Sequence, residues 1–189
     1  YMENQKLLKL SRLICAAYEC FSFAEFLKLA ILKLHELIPY DSGMFFCGIS
    51  RDCSFFKPYA GGNVEGHYQK QRFPEREEYL QQKEEGAGSE ALVYRALDYR
   101  QGAVIVSSEP RSGFLASQED FYIACVRIVY KGQFMGEIYL HRSKNKPDFD
   151  EEDMFTLRLL QPHISIVFHI IHTIAAVNAL ETEGGRLSK

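Results

Sequence analysis

Residues 121–130 and 133–141 are two apolar-rich stretches joined at Lys131 and Gly132, and this join constrains the fold more than any other feature of the chain. Glycine reaches the positive φ of a tight reversal without steric cost, so two β-rich runs flanking such a turn form an antiparallel hairpin. Asp150 then offers a helix N-cap, and Glu151, Glu152 and Asp153 fill a first turn where the helix dipole favours anions. The pattern predicts a long helix from there to about Ala179, interrupted by Pro162, which removes one backbone hydrogen bond.

The N-terminal part follows a helical period instead. Leu7, Leu10, Ile14, Ala17 and Phe21 recur at steps of three and four and form one stripe. Ser22 and Glu25 make an S-x-x-E capping box, which starts a second helix carrying Phe26, Leu29, Ala30, Leu34, Leu37 and Ile38 and ending before Pro39. Residues 44–49 are an apolar run without a polar face, as expected of a doubly covered strand. Residues 50–53 read as a turn and 54–59 as the returning strand. The signal is weaker over residues 61–99, where Pro74 suits a helix start and Gly86 and Gly88 a break; residues 103–107 read as a strand. The order predicts an α+β domain over residues 1–181, a central antiparallel sheet with terminal helices, followed by a linker over 182–189.

Composition removes several function classes. A net charge of -3, with 22 basic residues scattered along the chain, argues against direct binding to nucleic acid. Five cysteines without a C-x-x-C pair suit free thiols in a reducing cytoplasm. The longest apolar run, 164–177, contains His169, His172 and Thr173 and is too short and polar to span a membrane. No G-x-S-x-G elbow, P-loop or triad signature is present, so no catalytic residue is assigned and no enzyme activity or cofactor is expected. His169 and His172 lie one helical turn apart, but no acid lies between Asp153 and Glu181, and no metal is expected.

Two features bear on function directly. With Lys131 and Gly132 as a two-residue turn, Glu137, Tyr139 and His141 share a face with Val126, Ile128 and Tyr130, while Arg127 is the only charge opposite. An acid in a strand meets solvent, pairs, or faces a ligand cavity, and a one-residue slip would exchange the faces. In the last helix Leu157, Leu160, Ile164, Val167, Ile171, Ile174 and Asn178 form a heptad seam, matched in the first helix by Leu7, Leu10 and Ile14. Such a seam is satisfied either by the protein's own sheet or by a second copy. Ile166, Phe168, Ile170 and Val177 lie outside it, and a helix apolar nearly all round needs a second partner. The expectation is a homodimer through Leu7, Leu10, Ile14, Ile164, Val167, Ile171, Ile174 and Asn178.

Gly132, then Gly136, Ile138 and Leu140, then Phe149 with the acidic run 150–153, resemble the end of GAF domains: a glycine turn, a Gly-apolar-Leu strand, and a Phe and acids opening the last helix. Glu137 departs from that pattern, which is apolar there. The resemblance implies a GAF-like fold of the PAS/GAF superfamily, with both terminal helices on one face of the sheet. Residues 159–164, with Pro162 and His163, resemble the Leu-x-Pro-His element that follows sensor domains in LuxR-type bacterial transcriptional regulators. That implies a small-molecule sensor whose DNA contact is made by a helix-turn-helix domain beyond residue 189. Asn145, Lys146, Phe149 and Asp150 echo the motif of cyclic-nucleotide-binding GAF domains, but the spacing is compressed and the helix cap already explains the acid. The cavity of such a sensor is expected to use Phe45, Cys47, Tyr59, Tyr68, Phe121, Glu137 and Tyr139. The alternatives are a ligand-free dimerisation scaffold and a thiol-based sensor using Cys47, Cys53 or Cys125.

Overall fold

The computed structural model describes residues 4–49, 52–58, 71–72, 92–95, 120–143 and 145–187. Its centre is the expected hairpin, β5 (Asp120–Tyr130) and β6 (Gln133–Ser143) in chain order, turning through Lys131 at φ 49° and Gly132 at φ 80°. Four further strands extend it: β1 (Ser42–Cys47), β2 (Asp52–Phe56), β3 (Gln71–Arg72) and β4 (Val93–Arg95). The sheet order is β3-β2-β1-β6-β5-β4 and every pairing is antiparallel. β1 begins two residues earlier than its apolar run, because Ser42 and Gly43 pair with His141 and Leu140 of β6. The expected strand at 103–107 and the expected helix after Pro74 lie outside the described residues.

Among the described residues three helices lie on one face of the sheet: α1 (Asn4–Tyr18), α2 (Phe23–Leu37) and α3 (Glu151–Leu187). The Ser22–Glu25 capping box opens α2 as expected, with both reciprocal hydrogen bonds formed. α1 and α3 run parallel, since Lys6 pairs with Glu152 at 2.9 Å and the Tyr18 hydroxyl meets His163 Nδ1 at 3.1 Å. Between helices and sheet, Phe45 packs against the rings of Phe23 and Phe168, at centroid distances of 4.6 and 5.0 Å. Ala124, Val126, Ile128, Ile138 and Leu140 join this core.

The heptad seam is consumed here, which corrects the expected dimer interface. Leu10, Ile164, Val167 and Ile171 are buried in the protein's own core, and Ile14 packs against it. The sheet is the partner those side chains needed. Leu7 and Asn178 remain exposed, with Ile174 half-buried. The apolar residues on the outside of α3 are a different set: Phe155, Leu159, Ile170, Val177 and Leu180, with Ile166 half-buried. α3 also continues as helix to Leu187, through Gly184 and Gly185, where a linker was expected. A helix already formed adds one hydrogen bond per residue, which offsets the roughly 1 kcal/mol cost of each glycine. By length and composition alone α3 matches a membrane span. One side of it, with Leu157, Leu160, Ile164, Val167, Phe168 and Ile171, is buried in the core of this domain.

Arg142, at the end of β6, locks α3 to the sheet. Its guanidinium donates to Pro39 O at 2.7 Å, Asp148 O at 3.0 Å and Asp153 Oδ2 at 2.9 Å, and lies 4.1 Å from the Phe149 ring centroid. Asp153 in turn exchanges hydrogen bonds with the N-cap Asp150, at 2.8 and 3.3 Å. The expected N-cap is therefore present, and its partner also neutralises a buried cation.

The hairpin register differs from a plain two-residue turn. Val129 opposes Phe134, but Ile128 opposes Gly136, so Met135 is an extra residue on β6 and forms a β-bulge. Beyond it every β6 residue is displaced by one, and Glu137 opposes Arg127 instead of Val126. This reverses the expected faces: Glu137, Tyr139 and His141 share a face with Arg127 and Cys125, whereas Val126 and Ile128 face the helices. The physical reason is charge, because the unshifted register would place an unpaired carboxylate in the apolar core. Gly136 makes the bulge possible, since a Cβ there would lie 2.3 Å from Phe46 O, a backbone atom that cannot swing aside. Gly136→Ala is expected to lower stability by about 1–3 kcal/mol in urea unfolding, the range for overpacking a tight site.

Candidate functional site

Strand alternation places a second set of side chains on the sheet face turned away from the helices. β1 contributes Ser42, Met44 and Phe46, β5 contributes Cys125 and Arg127, and β6 contributes Glu137, Tyr139 and His141. Registers Ser42–His141, Met44–Tyr139 and Phe46–Glu137, with Arg127–Glu137 and Cys125–Tyr139, bring them into one patch three strands wide. The patch is polar and yet buried. Arg127 and Glu137 are both 0% exposed, and His141 is 4% exposed.

Glu137 is the hub. Arg127 Nε donates to Glu137 Oε1 at 3.0 Å, and the Tyr139 hydroxyl donates to Oε2. Arg127 also lies 5.9 Å from the centroid of Phe134, whose ring stacks on Phe46. His141 Nδ1 is 3.3 Å from Ser42 Oγ, and burial depresses its pKa to about 4. The imidazole is therefore neutral at physiological pH. Removing an ion pair from water costs several kcal/mol per ion, and a well-packed apolar substitute is often at least as stable. Fold stability alone does not call for this cluster on an internal face.

The backbone of the same strand is held from the other side. β4 pairs only with residues 124–126 of β5, and Arg127 N donates to Leu92 O at 2.8 Å. Past that point α3 side chains complete the outer edge. Gln161 Nε2 donates to Arg127 O at 3.0 Å, and Val129 N donates to Ser165 Oγ at 3.2 Å. A buried backbone group needs such a partner, so these two polar residues sit within an otherwise apolar helix face.

Of the expected cavity residues, Glu137 and Tyr139 come together. Phe45 and Cys47 do not: both lie on the helix face, where Phe45 is core and Cys47 packs at its margin. The side chains of β1 on the face of Glu137 are their neighbours Met44 and Phe46. Phe121 belongs to β5, and Tyr59 and Tyr68 lie outside the described residues. Of the histidines considered for a metal, His163 contacts Tyr18 and His169 stacks on Tyr130 at 4.1 Å. No group of three metal-ligating side chains occurs among the described residues. Cys125 is buried on the polar face, Cys47 is half-buried, and Cys53 lies in β2.

No family model and no curated protein matches the sequence. The fold, in contrast, is shared with solved GAF domains. The GAF domain of a phosphoenolpyruvate-protein phosphotransferase from Coxiella burnetii is similar at a TM-score of 0.58 and 15% identity, over 94% of this chain and 96% of that one. The GAF domain of a two-component sensor histidine kinase from Bacillus halodurans is similar at 0.55 and 15%, over 82% and 99%. The chromophore-binding domain of a bacteriophytochrome from R. palustris is similar at 0.60 and 13%, over 90% and 62%. The architecture is thus the α+β GAF-like one, with the terminal helices on one face of an antiparallel sheet.

Two measurements probe the patch. Glu137→Met or Arg127→Met alone is expected to cost about 3–5 kcal/mol by leaving a buried charge, whereas the double replacement by Met costs far less. Chemical denaturation of the four proteins in that cycle checks this. His141 is protonated in the unfolded chain below about pH 6.5 but stays neutral in the fold down to about 4. Its depressed pKa therefore removes stability as pH falls from 6.5 to 4, on the order of 3 kcal/mol at the lower end. His141→Asn is expected to flatten that part of a stability–pH profile.

Proposed function

We propose that this chain is a sensing and dimerising regulatory domain, non-enzymatic, that binds a small polar effector on the sheet face carrying Arg127, Glu137 and Tyr139. The observation that carries this reading is the buried charge pair with its phenol donor, on the face of a GAF-like sheet opposite the described helices. Such a cluster offers an effector both donors and an acceptor already oriented. A similar fold in a sensor histidine kinase is in keeping with a signalling role. The Ser42–His141 hydrogen bond lies at the edge of this face and is read as structural.

The signal leaves through α3, which contacts the sheet with one side and extends past it. The element around Pro162 and His163 supports a place in a bacterial transcriptional regulator of LuxR type, acting in the cytoplasm, with DNA contact made by a following helix-turn-helix domain. A second copy docks on the outward stripe of α3, Phe155, Leu159, Ile166, Ile170 and Val177. These steps of four and seven keep them on one side of the helix while its opposite side is occupied by the sheet.

A metabolite panel read by thermal melting tests the sensor. A cognate effector at a hundredfold excess over its Kd is expected to raise Tm by about 5–10 °C, and the gain is lost in Tyr139→Phe. Silence across the panel with the dimer intact would leave a ligand-free scaffold. Sedimentation tests the dimer: Leu159→Glu with Ile170→Glu is expected to weaken it by about a hundredfold or more without changing the circular dichroism. A wild-type monomer at high micromolar concentration would sink this part.

A further inference from the structure

Arg127 takes part in both halves of the molecule. Its side chain lies on the polar face and holds Glu137, while its carbonyl at the sheet edge accepts a hydrogen bond from Gln161 of α3. The Gln161 amide also donates to Ser165 Oγ at 3.1 Å, and that oxygen accepts from Val129 N. Gln161, Ser165, Arg127 O and Val129 N thus form one closed arrangement, with both α3 side chains buried. It straddles the residue where α3 is weakest. Pro162 has no N–H, so the carbonyl of Arg158 lacks its helical donor within this arrangement.

We propose that this arrangement is a clamp through which the state of Glu137 sets the seating of α3. Sliding or rotating the helix separates both donors from their acceptors at once, and neither buried group has water as a substitute. α3 therefore has a seated and an unseated arrangement rather than a continuum, which is what a bistable switch element requires. When the Glu137 carboxylate is engaged differently, Arg127 follows its ion-pair partner, and the strand carbonyl bound by Gln161 moves with it. Pro162 allows the helix to yield at that point instead of dragging the whole strand. In its biological use the clamp rests on the reading of the polar face as the effector site, but its existence is tested without an effector.

The experiment is amide hydrogen exchange by NMR on the full chain, following α3 residues 164–171 against residues 26–34 of α2. Glu137→Gln neutralises the carboxylate while preserving its shape. Relative to α2, which reports any loss common to the whole fold, it is expected to lower protection across the α3 segment by about tenfold. In a Ser165→Ala background, where the clamp is already open, the same substitution is expected to change α3 by less than twofold relative to α2. Equal loss in α2 and α3, an unchanged α3, or the same effect in both backgrounds would overturn the clamp. Should Glu137→Gln fail to fold, Tyr139→Phe removes one donor to the carboxylate, and the same comparison applies. Failure here leaves the melting panel unaffected, and a silent panel leaves this result unaffected, so the two readings fall separately.

Discussion

The guanidinium of Arg142 closes on a carboxylate and on carbonyls from two different segments, and it does so almost entirely out of water. A buried cation with so many fixed acceptors cannot be repositioned without leaving one of them empty, a loss larger than most single contacts contribute. Through it the end of β6, the connection from α2 to β1 at Pro39, and the first turn of α3 share one geometry. Asp153 belongs to the helix cap as well, so helix initiation and sheet docking are the same event. Arg95 of β4 adds a second tie, from its guanidinium to Phe149 O at 3.1 Å and to Glu151 at 3.2 Å.

With the start of α3 held there, the helix lies along the sheet, and its apolar stripe meets Val126, Ile128 and Ile138. Each face of the central hairpin then has a separate task. One is dry and aromatic, built on Phe45, Phe23 and Phe168. The other holds charge in a low-dielectric setting, where an ion pair depends strongly on geometry. The bulge at Met135 is the device that keeps the two apart.

How much of this was legible depended on which residues break a pattern. The capping box at Ser22 and Glu25, the positive-φ turn at Gly132 and the acidic start of α3 are local signals, and each was found where expected. Glu137 stood out because an acid in an apolar strand needs a reason, and Arg127 because it was the only charge on its face. Their pairing was hidden, since an inserted residue leaves the composition unchanged and only the adjacent Gly136 hints at it. Phe45 and Phe46 could not be told apart because β1 is covered on both sides and shows no alternation. Arg142 looked like an ordinary strand end, for its acceptors are mostly backbone carbonyls that no side-chain pattern encodes. The heptad seam was real, but periodicity shows that a helix has a partner and not which one; of the outward stripe, Ile166, Ile170 and Val177 stood outside the seam, while Phe155 and Leu159 carried no signal.

α3 leaves the core after Ile171 and stays helical to Leu187, a projection of about 24 Å at 1.5 Å per residue. A rigid rod anchored at one end is a lever arm. A tilt of roughly 5° where Gln161 and Ser165 hold it displaces Leu187, about 33 Å further along the helix, by about 3 Å, well beyond the thermal play of a packed side chain. In a two-fold pair of such rods the displacement enters twice, as a change in the spacing of whatever the rods carry. The domain can therefore be nearly still inside and still deliver a movement outside.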